Sequence, residues 1–103
     1  MAQERDVSPE QIEEWRRRID AIDDQIVRLL NDRSACAVEI GRIKRALGLP
    51  LYSPEREVAL LARVLRENPG PLDGAAVRRL FERIIDESRR LERLAAESVI
   101  GQD

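Results

Sequence analysis

Arg33 stands in a row of residues that ought to be apolar. Positions 12, 15, 19, 22, 26, 29, 33, 36, 40, 43 and 47 follow one another at spacings of three and four. Apart from Arg33 they are Ile12, Trp15, Ile19, Ile22, Ile26, Leu29, Cys36, Ile40, Ile43 and Leu47. A guanidinium on such a seam is costly unless it meets an anion. Lys44 follows about three helical turns later, within roughly 20° of the same face on an ideal helix. Two cations on one face, with a gap between them, could hold a small dianion, and the planar fork of arginine grips a carboxylate with two bonds. Further along, Ser88 interrupts another apolar stripe and Glu92 lies one turn later on the same side. Arg56 and Glu57 fall together just after a helix-start signal.

Taken singly, each of these has a plain structural explanation. A seam arginine can set register or snorkel. A lone lysine or glutamate is usually solvated, and a lone serine is a tolerated small core residue. Cys36 reads as an inert buried thiol, and Trp15 and Phe81 read as packing anchors. The chain contains no histidine, so the commonest general base is missing. An enzyme built from it should need little proton transfer, no metal, no cofactor and no covalent intermediate.

The elements that position these residues are helical. Charged residues make up 37% of the 103, with 5 Gly, 5 Pro and a single Trp, Tyr and Phe, a composition of long helices in one small domain, 1–103. Ser8-Pro9-Glu10-Gln11 carries an N-cap, a first-turn proline and a capping-box glutamine. No proline follows until Pro50, and Gly48 is a fitting C-cap. A helix from Pro9 to Leu47 would be roughly 58 Å long, against a radius of gyration of about 13 Å for a 100-residue globule. Its seam therefore calls for a second copy of the chain, in an intertwined homodimer. Ser53-Pro54 starts a second helix carrying Val58, Leu61 and Leu65, and Asn68-Pro69-Gly70-Pro71 stops it. Asp73 caps a third, with Val77, Leu80, Phe81, Ile84, Ile85, Leu91 and Ala95 on its apolar face. Residues 1–8 are expected to be flexible and 99–103 to fray.

A net charge of −2 provides no general field for nucleic acid. The N-terminus lacks a signal-peptide core, and no apolar run reaches membrane-spanning length. One cysteine excludes an internal disulfide, so a reducing, cytoplasmic setting is the default.

The ordered set of fragments resembles the all-helical (type II) chorismate mutase family. It comprises Arg16-x-x-Ile19-Asp20-x-Ile22-Asp23, Leu29-Leu30-x-x-Arg33, Ala37-Val38-Glu39-Ile40-Gly41-x-x-Lys44, Pro54-Glu55-Arg56-Glu57 and Leu80-Phe81-x-x-Ile84-Ile85-x-x-Ser88-x-x-x-Glu92. The resemblance implies a monofunctional, cofactor-free isomerase of the shikimate pathway, an intertwined helical dimer that converts chorismate to prephenate for phenylalanine and tyrosine biosynthesis. It implies that Arg33 and the partner's Arg16 grip the two carboxylates, with Arg56 reinforcing them. Lys44 and Glu92 would then bond the ether oxygen, Glu57 and Ser53 the ring hydroxyl, Ser88 would orient the substrate, and Ile40 would line the wall. Arg16 is 17 residues from Arg33, about 25 Å along a helix, so it would serve the partner's site.

Serine at 53 departs from the acidic residue frequent in the family, and Glu92 from a frequent glutamine. A carboxylate facing a developing oxyanion helps only when protonated, so activity is expected to rise below neutral pH. Two other readings fit the same chain. One is an isochorismate pyruvate lyase on this scaffold; the other is a non-catalytic helical dimerisation or regulatory module, against which the full set of pocket residues argues. The sequence identifies no activating partner enzyme of the pathway.

Overall fold

The structure, a computed structural model, describes residues 6–101, with side chains as far as residue 97. It consists of three helices, α1 (Pro9–Leu47), α2 (Pro54–Glu67) and α3 (Gly74–Gly101), with no strand among the described residues. Residues 1–5 and 102–103, within the stretches expected to be flexible or frayed, lie outside the described residues. At the other terminus α3 is helical through Gly101.

The ends of the helices follow local chemistry. The Ser8 amide donates to Gln11 Oε1 at 2.9 Å, half of the capping box. At its far end α1 closes in a Schellman motif: Gly48 takes φ +69°, Leu49 N–H donates to the Lys44 carbonyl at 2.8 Å, and Gly48 N–H donates to that of Arg45. Asp73 Oδ1 accepts from the Ala76 amide at 2.7 Å, capping α3. Ser53 differs from expectation. It holds the N-cap position of α2, but its hydroxyl makes no capping bond; Pro54 at the first helical position supplies the fixed φ that starts the helix without it.

The chain divides into two compact units, 1–32 and 33–103. In the first, Ile12, Trp15, Ile19, Ile22, Ile26 and Leu29 are all exposed. Trp15 is 59% exposed, with the Arg18 guanidinium 4.5 Å above its ring, and buries no core.

In the second unit the core is made by Ala37, Leu60, Val77, Ile85, Ala95 and Ala96. On α2 the covered face runs through Glu57, Leu60, Leu61 and Val64, one residue out of step with Val58, which is 70% exposed. A single residue turns a helical side chain by about 100°, enough to move Val58 out of the contact. Leu80 is exposed for the same reason, because the inward stripe of α3 runs through Val77, Phe81, Ile84, Ile85 and Ser88. The small residues Ala37 and Gly41 let this part of α1 approach α3 closely, with Gly41 against the Glu92 backbone.

Candidate active site

Within unit 33–103 a cavity of about 200 Å³ is lined by Arg33, Ile40, Lys44, Ser53, Arg56, Glu57, Ser88 and Glu92. Of the residues expected to form the site, all except Arg16 therefore meet at one place. Arg16 belongs to unit 1–32, is exposed, and donates to Glu13 Oε1 at 2.8 Å across one turn.

Each side chain owes its place to local structure. Arg33, Ile40 and Lys44 project toward the cavity from α1, two turns and then one turn apart. Lys44 sits in the last turn, where cations suit the helix dipole, and its Nζ donates to the Leu51 carbonyl at 2.9 Å. That bond folds the linker back over the end of α1, so that Ser53, Arg56 and Glu57 begin α2 beside the cavity. Ser88 and Glu92, one turn apart on α3, face the same space.

The electrostatics are lopsided. Arg33 is half-buried and donates through Nη1 to the Ser88 hydroxyl, which in turn donates to the Ile84 carbonyl at 3.1 Å. Burial pushes the Arg33 guanidinium below its ordinary value, and the positive charges of Arg56 and Arg63 push it the same way, while Cys36 and Glu92 oppose them. Among the described residues neither Arg33 nor Arg56 has an ion-pair partner. Lys44 and Glu92 form a half-buried pair, Nζ to Oε2 3.4 Å, with side chains 20% and 15% exposed. The site thus holds two arginines without carboxylates, a lysine whose carboxylate partner also faces the cavity, and one further carboxylate, Glu57. It can bind a compact anion with more than one negative group while presenting donors to an oxygen between them.

Cys36, read from the sequence as a buried thiol, is instead exposed and lines the cavity, because its turn of α1 faces this space and no core packs over it. Sequence reasoning missed other residues altogether. Arg89, Leu51, Leu60 and Ile85 also line the cavity. Arg89 is bonded to Glu57, 32 residues away, a pairing that no local spacing could reveal. Arg63 had one available signal: it lies two turns from Arg56 on the same face of α2.

Comparison with known proteins identifies the family. The family described as chorismate mutase type II matches residues 15–93. The bifunctional chorismate mutase/prephenate dehydratase of Neisseria gonorrhoeae is 42% identical over 86 residues, covering 84% of this chain and 23% of the relative. Relatives of that name from two pseudomonads match 91% of this chain, which spans 27% of their length. The chorismate mutase of Methanocaldococcus jannaschii is 38% identical over 55 residues, 53% of this chain and 56% of that one. Among solved structures, chorismate mutase (form II) from Thermus thermophilus superposes with a TM-score of 0.79 at 41% identity, covering 81% of this chain and 94% of the other. The matched stretch includes every cavity residue from Arg33 to Glu92, and the chain belongs to the chorismate mutase type II family.

Proposed function

We propose that the protein rearranges chorismate to prephenate, working as a homodimer in which each subunit's Arg16 completes the partner's site. The observation that carries this reading is the cationic cavity of unit 33–103. Chorismate carries two carboxylates flanking an ether oxygen. Arg33, with Arg56 beside it, suits one carboxylate and the partner's Arg16 the other. This holds the enolpyruvyl arm folded over the ring, which is a proximity and orientation task. In the rearrangement the ether C–O bond breaks as a C–C bond forms at the far end of the same six-membered array. Negative charge builds on the ether oxygen, and Lys44 together with a protonated Glu92 can stabilise it with preformed bonds. Glu57 and Ser53 take the ring hydroxyl, Ser88 steadies Arg33, and Ile40 closes the apolar wall. Dimerisation is supported by the exposed apolar row of unit 1–32 that runs from Ile12 to Leu29: such a row in water calls for cover.

The test is to incubate the purified protein with chorismate, follow substrate loss by ultraviolet absorbance and identify the product. Prephenate is expected, with kcat/KM lowered about 10- to 100-fold or more in Arg33→Ala, the loss of charge-assisted bonds to a carboxylate. Pyruvate release from isochorismate, without prephenate from chorismate, would replace the mutase with the lyase. Turnover of neither would leave a non-catalytic module.

A further inference from the structure

Arg89 and Tyr52 have no part in the reaction as described, yet they adjoin it. Arg89 follows Ser88 on α3 and lines the cavity. Its guanidinium donates twice to one carboxylate, Nε to Glu57 Oε2 at 3.2 Å and Nη2 to Glu57 Oε1 at 2.5 Å. The same guanidinium lies over the Tyr52 ring, 4.8 Å from its centroid. Tyr52 belongs to the linker, next to Ser53. Three elements, the linker, α2 and α3, therefore converge on one planar group.

That geometry has a chemical meaning. A glutamate with several rotatable bonds is a poor fixed acceptor. A two-point fork sets both the position and the plane of its carboxylate. Each carboxylate oxygen accepts more than one bond, so Glu57 keeps acceptor capacity while Arg89 holds it. The hydrogen bond to Glu57 is also the largest influence raising the Arg89 guanidinium above its ordinary value. Arg89 is unlike Arg33 and Arg56 in that its charge is already answered by Glu57, which makes it a weak competitor for a substrate carboxylate. Lysine could not replace it, having neither the fork nor the flat face that stacks on Tyr52.

We propose that Arg89, backed by Tyr52, is a positioning residue that fixes the Glu57 carboxylate as the acceptor for the substrate's ring hydroxyl, and thereby sets the preference for a hydroxyl-bearing substrate. The inference rests on the mutase reading above.

The experiment compares chorismate with an analogue carrying hydrogen in place of the ring hydroxyl. The full chain is tested as wild type, Arg89→Met, Arg89→Lys, Tyr52→Leu, Glu57→Gln and the Arg89→Met/Glu57→Gln double variant, with Tm measured for each. Arg89→Met is expected to reduce the preference for chorismate by about tenfold, the scale of one charge-assisted bond, with turnover of the analogue nearly unchanged. Arg89→Lys should lose most of that preference and Tyr52→Leu part of it. The double variant should discriminate no worse than Glu57→Gln alone. Equal losses on both substrates, or additive losses in the double variant, would mean that Arg89 merely holds the fold together, and would overturn the proposal. A wild type that turns over neither substrate would bring down the mutase reading, and this inference with it. A wild type that prefers chorismate, with the preference intact in Arg89→Met, would overturn the positioning role alone.

Discussion

Gly41 and Glu92 pack backbone to backbone. A Cβ placed on Gly41 would lie 2.5 Å from the Glu92 carbonyl oxygen and 2.8 Å from its Cα. Glycine inside a helix costs about 1 kcal/mol relative to alanine, and Gly41 needs no unusual φ to offset that. Its use is the close approach of α1 to α3. Lys44 is three residues further along α1, and its Nζ sits 3.4 Å from Glu92 Oε2. The helix contact at Gly41 therefore sets the spacing of the two groups proposed to face the ether oxygen.

Gly41→Ala tests that dependence. The obstructing atoms are backbone, so they cannot swing aside as a side chain would, and α3 must shift or tilt. Overpacking of this kind costs about 1–3 kcal/mol, outweighing the gain in helix propensity, so Tm should fall. A displacement of about 1 Å at reacting groups can cost about a hundredfold in rate, so kcat for chorismate should fall more than stability alone would explain. Calorimetry and initial rates provide the check. An unchanged Tm together with unchanged kcat would show that the contact does not govern the site.

The Lys44–Glu92 pair leads to a prediction about the donor at position 92. Glu92 accepts from the Lys44 ammonium, whereas the proposed reaction asks the same side chain to donate to the ether oxygen. Glu92→Gln places a permanent donor at that position and should keep kcat/KM at or above the wild-type value. Glu92→Leu, which cannot donate, should lose about 10- to 100-fold. Steady-state rates of the three proteins would decide the matter, and equal losses in the two variants would remove Glu92 from this role.

Much of this was legible in the sequence because it is local. Pro9, Gly48, Pro54 and Asp73 mark helix ends by chemistry confined to one turn, and the observed boundaries of α1 and α2 fall where those residues put them. Arg33 and Lys44 could be placed on one face because both belong to one uninterrupted helix. Contacts between elements were not legible in the same way. Hydrophobic pattern favours Val58, but the face of α2 that is covered depends on how the linker enters it, and the Lys44–Leu51 bond helps to set that entry. The Arg89–Glu57 fork joins two helices across 32 residues, and nothing in either local segment requires it. Gly41 reads as a helix-weakening residue until the backbone opposite it is known.

The proposed exchange of Arg16 between subunits yields a quantitative test. Arg16→Ala and Arg33→Ala are each expected to be nearly inactive as homodimers, because each removes one carboxylate clamp from both sites. In a mixed dimer, one site takes Arg33 from the first chain and Arg16 from the second, and is intact; the other lacks both. Equal amounts, unfolded together and refolded, should pair at random, so half the dimers are mixed and each has one good site of two, giving about a quarter of wild-type activity. The row from Ile12 to Leu29 should carry the pairing. Adding Ile22→Lys to both chains puts a charge into that apolar row, so sedimentation should then report monomers and the recovered activity should vanish. Recovery depends on Arg16 acting across the interface: if it served its own chain's site, every site in every mixture would still lack one arginine, and the mixture would be no more active than its parents.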